Sequence, residues 1–195
     1  MAAQFAPAPL RVDATRLSPG DRLAMVKLIE AGRVIDDIFL DQLWGGNRDL
    51  EKRLAADGSP LGQARLQLFQ LYKGPWSDLD NHRAFLPGVP ERKPPGANFY
   101  PEDMTREEFE HWASDKAKGF FTVIRRDPHS RALEVVPYSH AYRPNLERAA
   151  TLLREAASLT GNASLKKFLE TRADAFLNDD YYASDLAWMD LDAPI

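Results

Sequence analysis

Not one of the 195 residues is cysteine. That excludes disulfides, thiolate metal sites and a cysteine nucleophile, although it does not fix the compartment. Basic excess is missing too. Lys and Arg number 25 against 29 Asp and Glu, for a net charge of −4, which leaves no electrostatic footprint for nucleic acid. No window approaches the roughly 20 apolar residues needed to span a membrane. The N-terminal MAAQFAPAPLRVDATRL lacks the basic and apolar blocks of a secretory signal. These absences describe a soluble chain, with the cytoplasm as its expected compartment and neither nucleic acid nor membrane among its partners. Internal repeats and low-complexity tracts are also lacking.

Catalytic signatures are equally scarce. No Gly-x-Ser-x-Gly elbow occurs, and Gly45-Gly46 lacks the Lys-Ser/Thr ending of a phosphate loop. The four histidines are His82, His111, His129 and His140. None opens a His-Glu-x-x-His or His-Glu-x-x-x-His zinc pattern, because Arg83, Trp112, Ser130 and Ala141 follow them. Glu108-x-x-His111 is half of a carboxylate-bridged di-iron motif, and no second copy exists. Arg154 to Gly161 echoes the core of a Nudix box. However, Ser158 and Leu159 stand where its adjacent metal-binding glutamates belong, and His140 and Leu146 replace its upstream Gly and Glu. Asp36, Asp37 and Asp41 share a helix flank, and Asp179, Asp180, Asp185, Asp190 and Asp192 cluster near the C-terminus. Without an Asp-x-Asp-x-Asp-Gly loop, these read as solvated helix faces and a helix N-terminus.

What the chain has is helical patterning. Ser18-Pro19 reads as an N-cap and first helical residue. The helix they open runs to about Trp44, with Leu28, Ala31, Ile35, Ile38, Phe39 and Gln42 or Leu43 as its expected inner stripe. A short helix from Arg48 to Ala56 follows. Ser59-Pro60 opens another, expected to pack through Leu61, Ala64, Leu68 and Leu71 and stopped by Gly74-Pro75. Thr105-x-x-Glu108 is a capping box for a helix to about Ala113. Phe120–Arg125 and Ala132–Pro137 alternate as two strands about Asp127-Pro128-His129-Ser130. Pro144 starts a helix with Leu146, Ala149, Ala150, Leu153 and Ala157 inward. Another spans Asn162 to Asn178, and a last short one lies within Asp179–Trp188. The expected class is mainly α with one small β-hairpin (α+β), and residues 1–195 read as a single helical lobe.

Residues 74–104 interrupt the helices. Pro75, Pro87, Pro90, Pro94, Pro95 and Pro101 exclude a helix there. Trp76, Phe85, Phe99 and Tyr100 are interleaved with them, which predicts an ordered, aromatic-anchored loop with Trp76 and Phe99 buried.

The wording of this stretch carries a resemblance. GPWSDLD, then KPPGANFYPEDMT leading into REEFEHW, resembles the N-terminal part of bacterial proteins related to dipeptidyl peptidase III, a zinc metallopeptidase family. RVIDDIFLDQLWGGN is similar to that family's first long helix. SLKKFLETRADAFLNDDYYASDLAWMDLDAPI is similar to the stretch before its substrate-binding strand. The resemblance covers nearly the whole chain. It implies the helical N-terminal lobe of a two-lobed enzyme that releases dipeptides from peptide N-termini. The zinc motif and peptide-binding strand would lie beyond Ile195, so the chain itself would hold no catalytic residue, metal or cofactor. Its partners would be the C-terminal part of the same fold and, in the whole protein, a peptide substrate. Trp76, Asn98, Phe99, Tyr100, Asp103 and Trp188 are the candidates for a cleft wall or a contact between lobes. The other reading is a free-standing helical domain, without enzymatic activity, that binds a partner through the aromatic loop.

Overall fold

The computed structural model describes residues 4–195. Its elements are α1 (Pro19–Leu43), α2 (Asn47–Ala55), α3 (Pro60–Tyr72), β1 (Trp76–Ser77), β2 (Arg83–Ala84), α4 (Arg106–Trp112), β3 (Thr122–Arg126), β4 (Leu133–Pro137), α5 (Tyr138–Ala141), α6 (Arg143–Leu159), α7 (Ala163–Asn178) and α8 (Tyr182–Met189). The fold is mainly helical with two small antiparallel strand pairs, β1–β2 and β3–β4. The second pair is the hairpin expected from sequence. The first was not expected, since two-residue strands are too short to show a period-two pattern.

Helix starts follow local chemistry. The Ser18 hydroxyl accepts from the Asp21 amide at 3.0 Å, and Ser59 does the same for Gly62 at 3.0 Å. Thr105 accepts from the Glu108 amide at 3.1 Å. The Glu108 carboxylate is bound by Arg126, and the Thr105 amide, the other half of the expected capping box, also acts on it. At the hairpin turn, the Asp127 carboxylate accepts from the amides of His129 and Ser130 at 3.0 and 2.6 Å. This closes an Asx-type turn.

The chain divides into two compact units. One unit comprises Leu10–Ile38, Gly119–Val123 and Val135–Ile195. In it α7 packs on α6 and α8 packs on α7. Its core joins Ala24, Ala31 and Val34 to Ala149, Ala150, Leu153, Ala156, Ala157, Leu165, Leu169 and Ala173. Small residues dominate, and they let the helices approach closely. Gly20 shows how close: a Cβ there would overlap the Leu159 carbonyl oxygen. The expected inner face of α6 is buried as read. That of α1 is rotated. Ala24, Ala31, Val34 and Ile38 are buried, while Ile35 and Phe39 are exposed. Leu23, Val26 and Ile29 also reach solvent, so apolar residues lie on more than one side of this helix and a stripe count could not choose the face.

The other unit holds Phe39–Lys118 and Ile124–Glu134, together with the N-terminal segment ending at Pro9. Its core is Leu40, Leu50, Leu54, Phe69 and Leu86, with Trp44, Leu66, Phe85 and Val89 against it. Here α3 turns Leu68 and Phe69 inward, whereas Leu61 and Leu71 are exposed. The large Phe69 ring outweighs a stripe of leucines spaced just as well, because one aromatic buries more area than an aliphatic side chain.

Candidate functional site

Residues 74–104 are ordered by four kinds of contact. Lys73 adopts a left-handed conformation (φ 56°) and ends α3, with its amide bonded to the Phe69 carbonyl. Trp76 then enters β1 opposite Ala84. Its ring is 4% exposed and meets Trp44 edge-on at 5.5 Å. Its indole donates to the Pro90 carbonyl at 2.9 Å, reaching across the proline stretch. Backbone bonds from Phe85 to Pro75 (2.9 Å) and Ala84 to Glu91 (2.8 Å) close the loop on itself.

Asn98 makes the third contact. Its amide donates to the Gln42 carbonyl and its side chain to the Asp41 carbonyl, both at 2.8 Å. These are among the acceptors that the last turn of α1 leaves unsatisfied, so the loop caps a helix that ended far earlier in sequence. Fourth, the Phe99 carbonyl accepts from the Ile124 amide at 2.8 Å, stitching the loop to β3. The Phe99 side chain is half-buried rather than buried.

Tyr100 is partly exposed and packs edge-on against Phe109 at 5.6 Å. With Pro94, Pro95, Pro101 and Met104 these rings line a hollow of about 340 Å³. Its lining is mainly apolar; Glu102 and Arg106 also border it, and the Glu102 carboxylate accepts from the Trp44 indole at 3.1 Å. Close by in sequence, Asp103 belongs to an ionic clamp. Arg126 binds Glu108 through two nitrogens at 2.9 Å and Asp103 at 3.1 Å, and Arg131 also reaches Asp103. The Arg126 bonds hold both carboxyls below their usual range, and the carboxylates in turn raise Arg126. All three stay charged near neutral pH, so the clamp braces the hairpin and cannot shuttle a proton.

The remaining sequence candidates do not converge. Glu108 faces Arg126, while His111 donates through Nδ1 to the Glu107 carbonyl at 2.6 Å. The Glu-x-x-His pair therefore shares no ligand position. His82 lies 2.9 Å from Asp78 on an exposed turn, and His129 and His140 are exposed. In the Nudix-like stretch, Arg154 binds Asp174 at 2.6 Å and Glu155 binds Lys27 at 2.9 Å, while Ala156 and Ala157 are core. Asp41 is bound by Arg48, Asp179 accepts from Ser139, and Asp185 accepts from Arg172. Among the described residues no three His, Cys, Asp or Glu side chains are grouped to hold a metal ion. Zinc therefore does not fit the donors present here. Two organising residues left no readable mark in the sequence. Buried Asn47 donates to the Leu40 and Lys73 carbonyls at 2.9 and 3.0 Å, and Arg126 anchors the clamp. Trp188, the last candidate, stands exposed on α8. Among the described residues no helix is long and apolar enough to cross a membrane.

No family model matches the chain. Solved structures do. Dipeptidyl-peptidase III from Corallococcus sp. strain EGB aligns with 98% of this chain at 47% identity and a TM-score of 0.93. The chain has the fold of part of a dipeptidyl-peptidase III. The enzyme from Caldithrix abyssi gives the same TM-score at 44% identity, again over 98% of this chain. These alignments cover 36% and 37% of the two dipeptidyl-peptidase III chains. Among curated proteins, Nudix hydrolase 3 of Arabidopsis thaliana is 35% identical over 98% of this chain, which covers 32% of that protein. The chain thus spans about a third of each relative. The Nudix name belongs to a protein of which this chain covers 32%, and in this chain Ser158 and Leu159 occupy the places of the box's paired glutamates.

Proposed function

We propose that this chain is the helical N-terminal lobe of a dipeptidyl peptidase III-like metallopeptidase, a cytoplasmic enzyme that releases dipeptides from the N-termini of peptides. A backbone match at TM-score 0.93 with 44–47% identity over 98% of the chain carries this reading. The zinc and the catalytic base belong to the part of the fold outside this chain, and the residues here pack and position. Trp76 and Asn98 brace the loop, and Asp103 anchors the hairpin. Phe99 and Tyr100, the part-exposed rings, serve as cleft wall. Trp188 serves as a contact between lobes.

A chimera tests this. The chain replaces the corresponding third of the Corallococcus enzyme, and hydrolysis of a dipeptidyl-arylamide is measured. The expected result is turnover and one bound zinc in the chimera, with neither in the 195-residue chain alone. A folded, zinc-loaded chimera without turnover would refute the reading, as would turnover by the chain alone.

A further inference from the structure

α8 carries apolar residues on the side away from the core. Tyr182, Leu186 and Met189 recur at helical spacing within an arc of about 60°. They are 71%, 46% and 76% exposed. Ser184 and Ala187 lie on the opposite side, fully buried where α8 meets α7. Trp188 adds a further indole at 61% exposure. A helix with one partner keeps its apolar residues toward that partner and polar ones toward water. This one is built for two.

From this geometry we infer that the outer face of α8 is a docking surface for the polypeptide forming the other two-thirds of a dipeptidyl-peptidase III fold; the inference rests on the lobe reading above. One observation chooses this occupant. In both solved neighbours the same backbone belongs to a chain of which it covers only 36–37%. The bulk of such a fold is therefore polypeptide that this chain does not contain. The acids flanking the face are already paired within the chain, Asp185 with Arg172 at 2.7 Å and Asp190 with Lys167 at 3.7 Å, so they leave the apolar stripe as the feature to be covered.

The absence of cysteine from the chain permits a direct test. Leu186→Cys and, separately, Met189→Cys are made in the 195-residue chain and in the Corallococcus chimera. Folding is checked by circular dichroism. Thiol alkylation of the α8 peptide is followed by mass and normalised to the same thiol in denaturant. Both positions should react freely in the short chain and at least about tenfold more slowly in the chimera. Equal rates in the two proteins would overturn the inference, since solvent alone would cover the face. Slow labelling in the short chain together with a doubled sedimentation mass would overturn it in favour of a second copy. The two readings separate cleanly. Protected thiols in a chimera without turnover sustain the surface and sink the proposed function. Free thiols in an active chimera do the reverse.

Discussion

Replacing Trp76 with alanine should unseat residues 74–104. The ring is 4% exposed, so its removal leaves a cavity that local collapse cannot fill without moving the loop. Truncating a buried aromatic costs about 3–5 kcal/mol. The edge-on contact with Trp44 is part of that loss, worth about 0.5–1.5 kcal/mol. The indole bond to Pro90 adds about 1 kcal/mol, near the low end because exposed Pro90 can turn its carbonyl to water. Against a total stability of about 5–15 kcal/mol for a domain, the variant forfeits about a quarter or more. Trp76→Phe keeps most of the buried ring, loses the hydrogen bond, and should cost about 1–2 kcal/mol. The assay is urea unfolding followed by circular dichroism, read as a midpoint at matched slope. Equal midpoints for Trp76→Ala and the parent would refute the view that this ring anchors the loop. So would equal losses for alanine and phenylalanine.

Gly20→Ala should destabilise by about 1–3 kcal/mol despite alanine's better helix propensity, because the new Cβ overlaps the Leu159 carbonyl. Gly32→Ala, in open space on the same helix, should stabilise by about 0.5–1 kcal/mol; paired thermal melts decide both signs. Asn47→Ala should cost about 1–3 kcal/mol by orphaning the Leu40 and Lys73 carbonyls. Asn47→Asp should cost more, since it sets a carboxylate against the same two oxygens; a smaller loss for aspartate in urea titrations would refute the assigned bonding. The hydroxyls of Thr160 and then Ser18 hold the Asp21 carboxyl below its usual value, against the opposing effect of burial. A depressed carboxyl contributes stability above its unfolded value, near pH 4, and that contribution is lost as pH falls through the lower folded value. Thr160→Val should therefore flatten the acid limb of a stability-against-pH curve, and an unaltered limb would count against the bond.

Local chemistry was decided by the sequence itself. Ser18, Ser59 and Thr105 cap their helices because donor and acceptor lie three residues apart, and Asp127 folds its turn within four residues. The prolines barred an α-helix from residues 74–104, where only a three-residue 3-10 turn forms at Asp78–Asp80, and the inner face of α6 followed from spacing alone, since its apolar residues lie on one side. The relation to dipeptidyl-peptidase III was legible in the order of words such as GPWSDLD and KPPGANFYPEDMT, although no catalytic spacing is present. Tertiary structure decided whatever depends on which neighbour arrives. Helix α1 has apolar residues on several sides, so the small-residue surfaces of α6 and α7 selected Ala24, Ala31 and Val34 over Ile35. In α3, Phe69 found a pocket that Leu61 and Leu71 did not. Asn98 caps α1 across 57 residues, and Glu108 reaches from its own helix start to Arg126, 18 residues on. Such pairings are set by where the packed backbone leaves an unsatisfied carbonyl or charge, and no local pattern in a chain encodes that.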